Sequence, residues 1–393
     1  MPVVRALDLG SGWVKFNRLN AAGQLEYASF PSLAPRHTGR DLSVSLLGKR
    51  DTVVVNVEGT LYEVGPDSAT LDSNDSTRNL NDQYLYTDQY KAAFLGALHY
   101  MGETTIDLLV VGLPLTTIHR AADLKSLCVG EHKINDTTTV TVKDALVLPQ
   151  PLGGLYYCLS QRDQREAFEF LAEETNLIID PGYLTFDFLT TNGEKINDAR
   201  SGAHPGGVSK VLRAICESLS AKFGVKYDNL SAIDKALERR RIKINGKVED
   251  LLEHIRYAKP AIEGSVNYMR NVAGDGADID NIILFGGGQH IFAKTLLNYY
   301  KHHTIYVLGD SQFANVKGFQ AAGEAHASVA PVPRAQADLP ELTVLRYESS
   351  ESAESRPAPV TVAVPTPVQA PTPIVPLSNV SAQPAYAAED DDI

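Results

Sequence analysis

The sequence predicts an α/β protein built from two similar β-then-α units followed by an unstructured tail, and three observations point there. The apolar pattern VVRALDLG with VKFNRL near the start returns as NLIIDPGYLTFDFLTTNGEKI in the second half, each a buried strand, a tight turn and a second strand. At those turns Asp8-x-Gly10-x-x-x-x-Lys15 and Asp180-x-Gly182-x-x-x-x-Asp187 occupy equivalent places, 172 residues apart. From Ala330 onward the 393-residue chain carries eleven of its 21 prolines and no glycine, a composition that favours extended polyproline backbone over a packed core. The length also exceeds what one core usually organises.

The elements follow in order. After the first hairpin comes a polar, irregular stretch, and DTVVVNVEGTLYEVG then alternates as a second hairpin. The spacing of YKAAFLGALHYM predicts a helix within Asp88 to Met101, and TIDLLVVGLPL behind it reads as a buried strand. Ala167 to Glu174 is expected to be helical before the second hairpin, whose Asn192-Gly193 pair marks a tight turn. Helices are expected at Gly207 to Phe223, Lys247 to Tyr257 and Ala261 to Val272, and NIILFGGG is a buried strand ending in glycines.

Bulk composition excludes several functions. A formal net charge of −12 argues against a protein that coats nucleic acid with its own surface, since phosphate neutralisation needs a basic patch. Cys128, Cys158 and Cys216 are widely spaced, without CxxC spacing, and are read as buried, reduced thiols. The N-terminal MPVVRALDLG lacks the apolar stretch of a signal peptide, and no run is long enough to span a bilayer. The expectation is a cytoplasmic protein that binds neither membrane nor, directly, nucleic acid.

The turns can hold a magnesium-bound triphosphate. That chemistry needs backbone N–H groups close to phosphate oxygens, which glycine permits, and carboxylates to hold a hydrated metal. In LDLGSGWVK, Asp8 supplies a carboxylate, Gly10, Ser11 and Gly12 let backbone approach phosphate, and Lys15 offers a positive charge. In LIIDPGYLTFD, Asp180 and Gly182 recur beside Tyr183, Thr185 adds a hydroxyl, and Asp187 is either a metal-shell carboxylate or an aspartate that orders the turn. LFGGGQHIF places Gly286, Gly287, Gly288 and Gln289 between a buried strand and a helix start, where bare backbone can lie against a base or sugar.

These residues resemble the actin, heat-shock-chaperone and sugar-kinase superfamily and, within it, the plasmid-segregation ATPases called ParM or StbA. The two D-x-G hairpins look like its phosphate loops and Gly286-Gly287-Gly288 like its adenosine loop. VVGLPLTTI is similar to the family's Leu-Pro-Leu strand and loop, ALVLPQPLGGLYYCL to its first interdomain connection and SQFANVKGFQAAG to its second, with Asn-x-x-Gly. The resemblance covers nearly all of Met1 to Gly323 and none of the tail.

It implies two duplicated actin-like, ribonuclease H-like domains flanking a nucleotide cleft: residues 1–165, with 312–329 returning to them, then 166–311, then a disordered tail over 330–393. By the same resemblance ATP and Mg2+ are the cofactors, Asp8 and Asp180 hold magnesium through water, and Ser11, Gly12 and Lys15 contact the β- and γ-phosphates. Gln150 stands where ParM has a glutamate and actin a glutamine, so it is expected to position the attacking water, with Asp180 as the other catalytic residue. Pro181 and Tyr183 depart from the small residues usual in that loop, and Glu238 to Gly246 fall where the family places charged residues near the base. The implied function is a nucleotide-dependent homopolymer that segregates plasmid or other extrachromosomal DNA through a small DNA-binding adaptor of the ParR type. A monomeric small-molecule kinase on the same fold is the alternative. The tail reads as a solvated spacer or as a partner-binding segment.

Overall fold

The computed structural model describes residues 2–39, 49–71, 83–169, 171–237, 239–329, 332 and 342–347. Strands Val4–Leu9 (β1), Trp13–Leu19 (β2) and Leu25–Pro31 (β3) are joined by tight turns and pair antiparallel. The expected second hairpin forms as Val53–Val57 with Thr60–Val64. Helix Asp88–Met101 (α1) begins where the Thr87 side chain accepts from the Tyr90 amide at 3.2 Å and stops at Gly102, which has the left-handed φ of 74°. Strands Leu108–Leu113 (β4) and Ala145–Pro149 (β5) then run parallel to β1, giving a five-stranded sheet of order β5-β4-β1-β2-β3 among the described residues. All six residues of β4 are buried, as an inner parallel strand requires. Helix Gln150–Leu159 (α2) follows β5 directly.

The second half repeats the plan. Strands Thr175–Pro181 (β6) and Phe186–Asn192 (β7) form its hairpin, and β7 turns through Gly193-Glu194 onto the short strand Lys195–Ile196. Helices Val208–Phe223 (α3), Leu230–Leu237 (α4) and Leu252–Ala273 (α5) precede strand Asn281–Leu284 (β8), which lies parallel to β6. Helix Gln289–Tyr299 (α6), strand Ile305–Leu308 (β9) and helix Ala314–His326 (α7) complete the body. The chain is thus a mixed α/β fold of two domains, each with its own core: one under α1 around Phe16, Phe94 and Leu98, the other between the second sheet and α3, α5 and α6.

Two helices join the halves. Leu155 of α2 packs with Phe285 and Leu189 of the second lobe, while Val316 and Phe319 of α7 pack on Val4, Ala6 and Val110 of the first. They cross backbone to backbone: a β-carbon on Gly153 would lie 2.6 Å from the Asn315 Cα, and one on Gly318 would overlap the Gly153 carbonyl. Further along α7, the Gln320 side chain accepts from Asn17 Nδ2 at 2.7 Å, and Asn17 Oδ1 accepts from the Ala6 amide at 3.0 Å.

Four expectations need correcting. Ala167 to Glu174 is not a helix; among the described residues only the 3-10 turn Glu166–Phe168 forms, because so short a segment cannot offset helix nucleation while Phe168 is drawn into the core. Lys247–Asp250 is a strand paired with Arg241–Ile244 through Asn245-Gly246, both at positive φ as a two-residue hairpin turn demands. Beyond that strand, the helices expected at Lys247 to Tyr257 and Ala261 to Val272 are one, α5, in which Pro260 sits on the exposed side, where the ring costs a hydrogen bond without breaking the element. Inside the expected tail, Leu342–Leu345 (β10) pairs antiparallel with β9; its proline-free, β-favouring Leu-Thr-Val-Leu covers what would be an open sheet edge. Apart from Val332, Arg346 and Tyr347, the remainder of that tail lies outside the described residues. Cys128, Cys158 and Cys216 are free and buried as expected, and no described helix is long and apolar enough to cross a membrane.

Candidate functional site

Hairpin tips from the two sheets meet at a cavity of about 370 Å3. In the first, the antiparallel register sets Asp8 opposite Lys15, whose Nζ donates to Asp8 Oδ2 at 3.0 Å. Gln150, the first residue of α2, donates its Nε2 to Asp8 Oδ1 at 2.7 Å. In the second, the equivalent register sets Asp180 opposite Asp187. Asp180 Oδ2 accepts from Asn315 Nδ2, at the start of α7, at 2.7 Å. Gly286 presses on the other oxygen: its φ is 93°, and a β-carbon there would overlap Asp180 Oδ1.

Burial dominates the electrostatics. It pushes the Asp180 carboxyl up to about 7 despite the opposing Lys15 charge and the Asn315 hydrogen bond. Burial likewise carries Asp187 to about 6, against hydrogen bonds from Thr185 and the Leu115 amide. Burial alone would lower Lys15, yet Asp8 and Asp180 together hold it above its usual value, so one lysine serves carboxylates from both lobes.

Most expected site residues come together. Asp8, Gly10, Ser11, Gly12 and Lys15 reach the cavity wall from the first hairpin, and Asp180, Gly182, Tyr183 and Thr185 from the second. Gln150, Gly287 and Gly288 complete it, whereas Gly286 stands behind Asp180 and Gln289 turns its side-chain oxygen into a buried position off the wall. Asp187 is also off the wall: it accepts from the Thr185 hydroxyl and, at 3.1 Å, from the Leu115 amide of the first lobe, so it orders its turn and ties the lobes.

Sequence reasoning missed Asn315, Asp234, Lys235 and His290, all on the wall. No described residue of Glu238 to Gly246 reaches it; α4, just before that stretch, supplies Asp234 and Lys235 instead, and Glu238 itself lies outside the described residues. The signal for Asn315 lay within SQFANVKGFQAAG, but only the crossing of α2 and α7 shows what it touches.

The donor set would suit a magnesium-bound phosphate chain. Among the described residues no cluster of three or more His, Cys, Asp or Glu side chains could hold a metal alone, so a cation here would draw most of its ligands from water or from a bound anion, the usual habit of Mg2+. Each of the two carboxylates keeps lone pairs beyond its protein partners, enough to accept from metal-bound water.

Two similar α/β lobes, each presenting an aspartate-tipped hairpin to one shared cleft, define the actin class of fold. The model of the N-terminal domain of actin-like proteins matches residues 6–153, and that of the C-terminal domain of archaeal MreB-like actin homologues matches residues 178–298. The chain is an actin-like protein. Similar solved structures include apo ParM of pSK41, with 21% identity, 83% of this chain and 98% of that one covered, and a TM-score of 0.58. A 15-stranded ParM filament from Clostridium botulinum shows 19% identity, 83% and 100% coverage and a TM-score of 0.65. An archaeal actin homologue in complex with ADP shows 18% identity, 82% and 99% coverage and a TM-score of 0.60. No curated protein matches the chain by sequence.

Proposed function

We propose that the chain is a cytoplasmic ATPase that binds Mg-ATP between its lobes and polymerises in a nucleotide-dependent way. The observation that carries this reading is the convergence of Asp8, Lys15 and Asp180, from two different sheets, on one cavity. Bound magnesium would neutralise charge on the phosphates. The chain's own part is to offer glycine backbone and Lys15 to phosphate oxygens, to hold Asp8 and Asp180 toward metal-bound water, and to aim Gln150 at an attacking water. Gln150 already has its amide nitrogen on Asp8, which leaves its oxygen for that water.

The lobes are assigned to residues 1–165 with 312–329, and to 166–311. A nucleotide that touches both favours whichever arrangement of the lobes makes more contacts, and head-to-tail repetition of a surface that does not close gives a filament. The ParM filament and the ADP-bound archaeal homologue among the structural neighbours support that reading. Within it, the polymer segregates plasmid or other extrachromosomal DNA through a ParR-type adaptor; the acidic chain suits an indirect hold on DNA.

Light scattering and electron microscopy of the purified protein with Mg-ATP, Mg-ADP or no nucleotide, repeated for Asp180→Ala, test the proposal. Polymer that requires triphosphate and is lost in the variant supports it. Turnover by strict monomers at high concentration would instead support a small-molecule kinase.

A further inference from the structure

The two glycine-containing turns touch one another directly. A β-carbon placed on Gly12 would lie 2.9 Å from both Cβ and Cγ of Tyr183, closer than side chains approach in folded proteins. Gly12 is not among the residues with positive φ, so its backbone would accept any side chain and only the space forbids one. Tyr183 cannot step aside by changing rotamer, because its Cβ is part of the contact and follows the backbone.

That backbone is fastened. Gly182, Tyr183 and Leu184 each offer a carbonyl to the first turn of α3 or its cap, accepting from Val208, Ser209 and Gly207 at 3.0, 2.8 and 3.1 Å. On the opposite side, the Gly12 carbonyl accepts from the Ser32 amide at 3.0 Å, just past the end of β3. The contact therefore joins two stiff bodies and breaks only when the lobes part. Both residues line the cavity that holds Asp8, Lys15 and Asp180.

We propose that Gly12 and Tyr183 form a steric clasp across the cleft, which must open before the phosphate end of a nucleotide enters or leaves, so that Tyr183 sets the rate of nucleotide exchange. The proposal rests on reading the cleft as a nucleotide site. Cβ, Cγ and Cδ2 of Tyr183 reach Gly12 only when the lobes are closed, a contact that favours the closed arrangement and slows both entry and exit of nucleotide. A side chain at position 12 acts as a wedge, and its effect depends on what stands at 183.

The chain's single tryptophan, Trp13, adjoins the clasp, lines the same cavity and is 43% exposed, which makes it a local reporter. The full-length protein is mixed in a stopped-flow with Mg2+ and methylanthraniloyl-ADP excited through Trp13, then chased with unlabelled ADP. Tyr183→Gly is expected to raise association and dissociation rates together, each about tenfold. Gly12→Ala, whose wedge keeps the lobes from closing on the nucleotide, is expected to speed dissociation more than association and so weaken affinity, and adding Tyr183→Gly is expected to restore the affinity, leaving the double variant with the rates of Tyr183→Gly alone. Equal exchange rates in the parent and Tyr183→Gly, or a double variant as impaired as Gly12→Ala, overturn the clasp. A parent protein that binds no labelled ADP overturns the nucleotide reading of the cleft, and the clasp with it.

Discussion

Asn315 donates its side-chain amide to Asp180 at 2.7 Å, fastening the start of α7 to the tip of β6. Both residues are buried, so the bond stabilises a carboxylate with little water to replace its partner. Asn315→Ala is expected to destabilise the nucleotide-free protein by about 1–3 kcal/mol. The check is a shift of the urea midpoint at unchanged slope.

Asp187 supplies a pH dependence of stability whose sign is set by burial. Its carboxyl titrates at about 6 in the folded chain, above the ~3.9 of an unfolded aspartate. Between those values the folded protein keeps a proton that the unfolded chain has released, so stability falls as pH rises through the window. The stability is fully present below about pH 4 and is lost by somewhat above pH 6, the loss reaching at most about 3 kcal/mol. Asp180, pushed up to about 7, extends the same trend. Asp187→Asn can still accept from the Leu115 amide and is expected to flatten the slope between pH 4 and 6 in urea titrations of metal-free, nucleotide-free protein.

Lys15 is the cation shared by Asp8 and Asp180. Removing it leaves two buried carboxylates facing phosphate without compensation, so Lys15→Ala is expected to weaken Mg-ATP binding at least about 100-fold, as judged by calorimetric titration. Circular dichroism of the variant should match the parent, since Lys15 lies at a hairpin tip and outside the apolar cores.

Gln150→Ala removes the oxygen proposed to orient water. Turnover is expected to fall about 10- to 100-fold with a smaller change in KM, measured by phosphate release. An equal loss in both would place Gln150 in binding through Asp8, to which it donates at 2.7 Å.

Gly318 tests the joint between the lobes. A β-carbon there would overlap the Gly153 carbonyl, so Gly318→Val must separate α2 from α7, at an expected cost of about 3 kcal/mol or more. The readout is thermal unfolding.

Much of this was legible from the sequence because it is local. Asp8 and Asp180 sit at ends of short apolar strands whose alternation and glycines are visible within ten residues, and the same holds for the strand before Gly286. What could not be read comes from elements that meet only after packing. Asn315 meets Asp180 across 135 residues, and Asp234 reaches the cavity because α4 is laid against the second lobe, with no motif around it to announce the role. Pro260 stands in the gap between the two helices expected there, yet in α5 the chain passes through it on an exposed face. Leu342–Leu345 was hidden by proline-rich surroundings, and only the open side of β9 gives those four residues a partner.

Helix α7 is gripped twice, at its head through the Asp180 carboxylate and a turn and a half further on through Gln320 and Asn17. A rod held by one body at the top and by the other along its shaft behaves as a lever arm. It cannot tilt without loosening one hand, so the tip that carries Asp180 and the sheet that carries Lys15 are tied to one another through a single shaft.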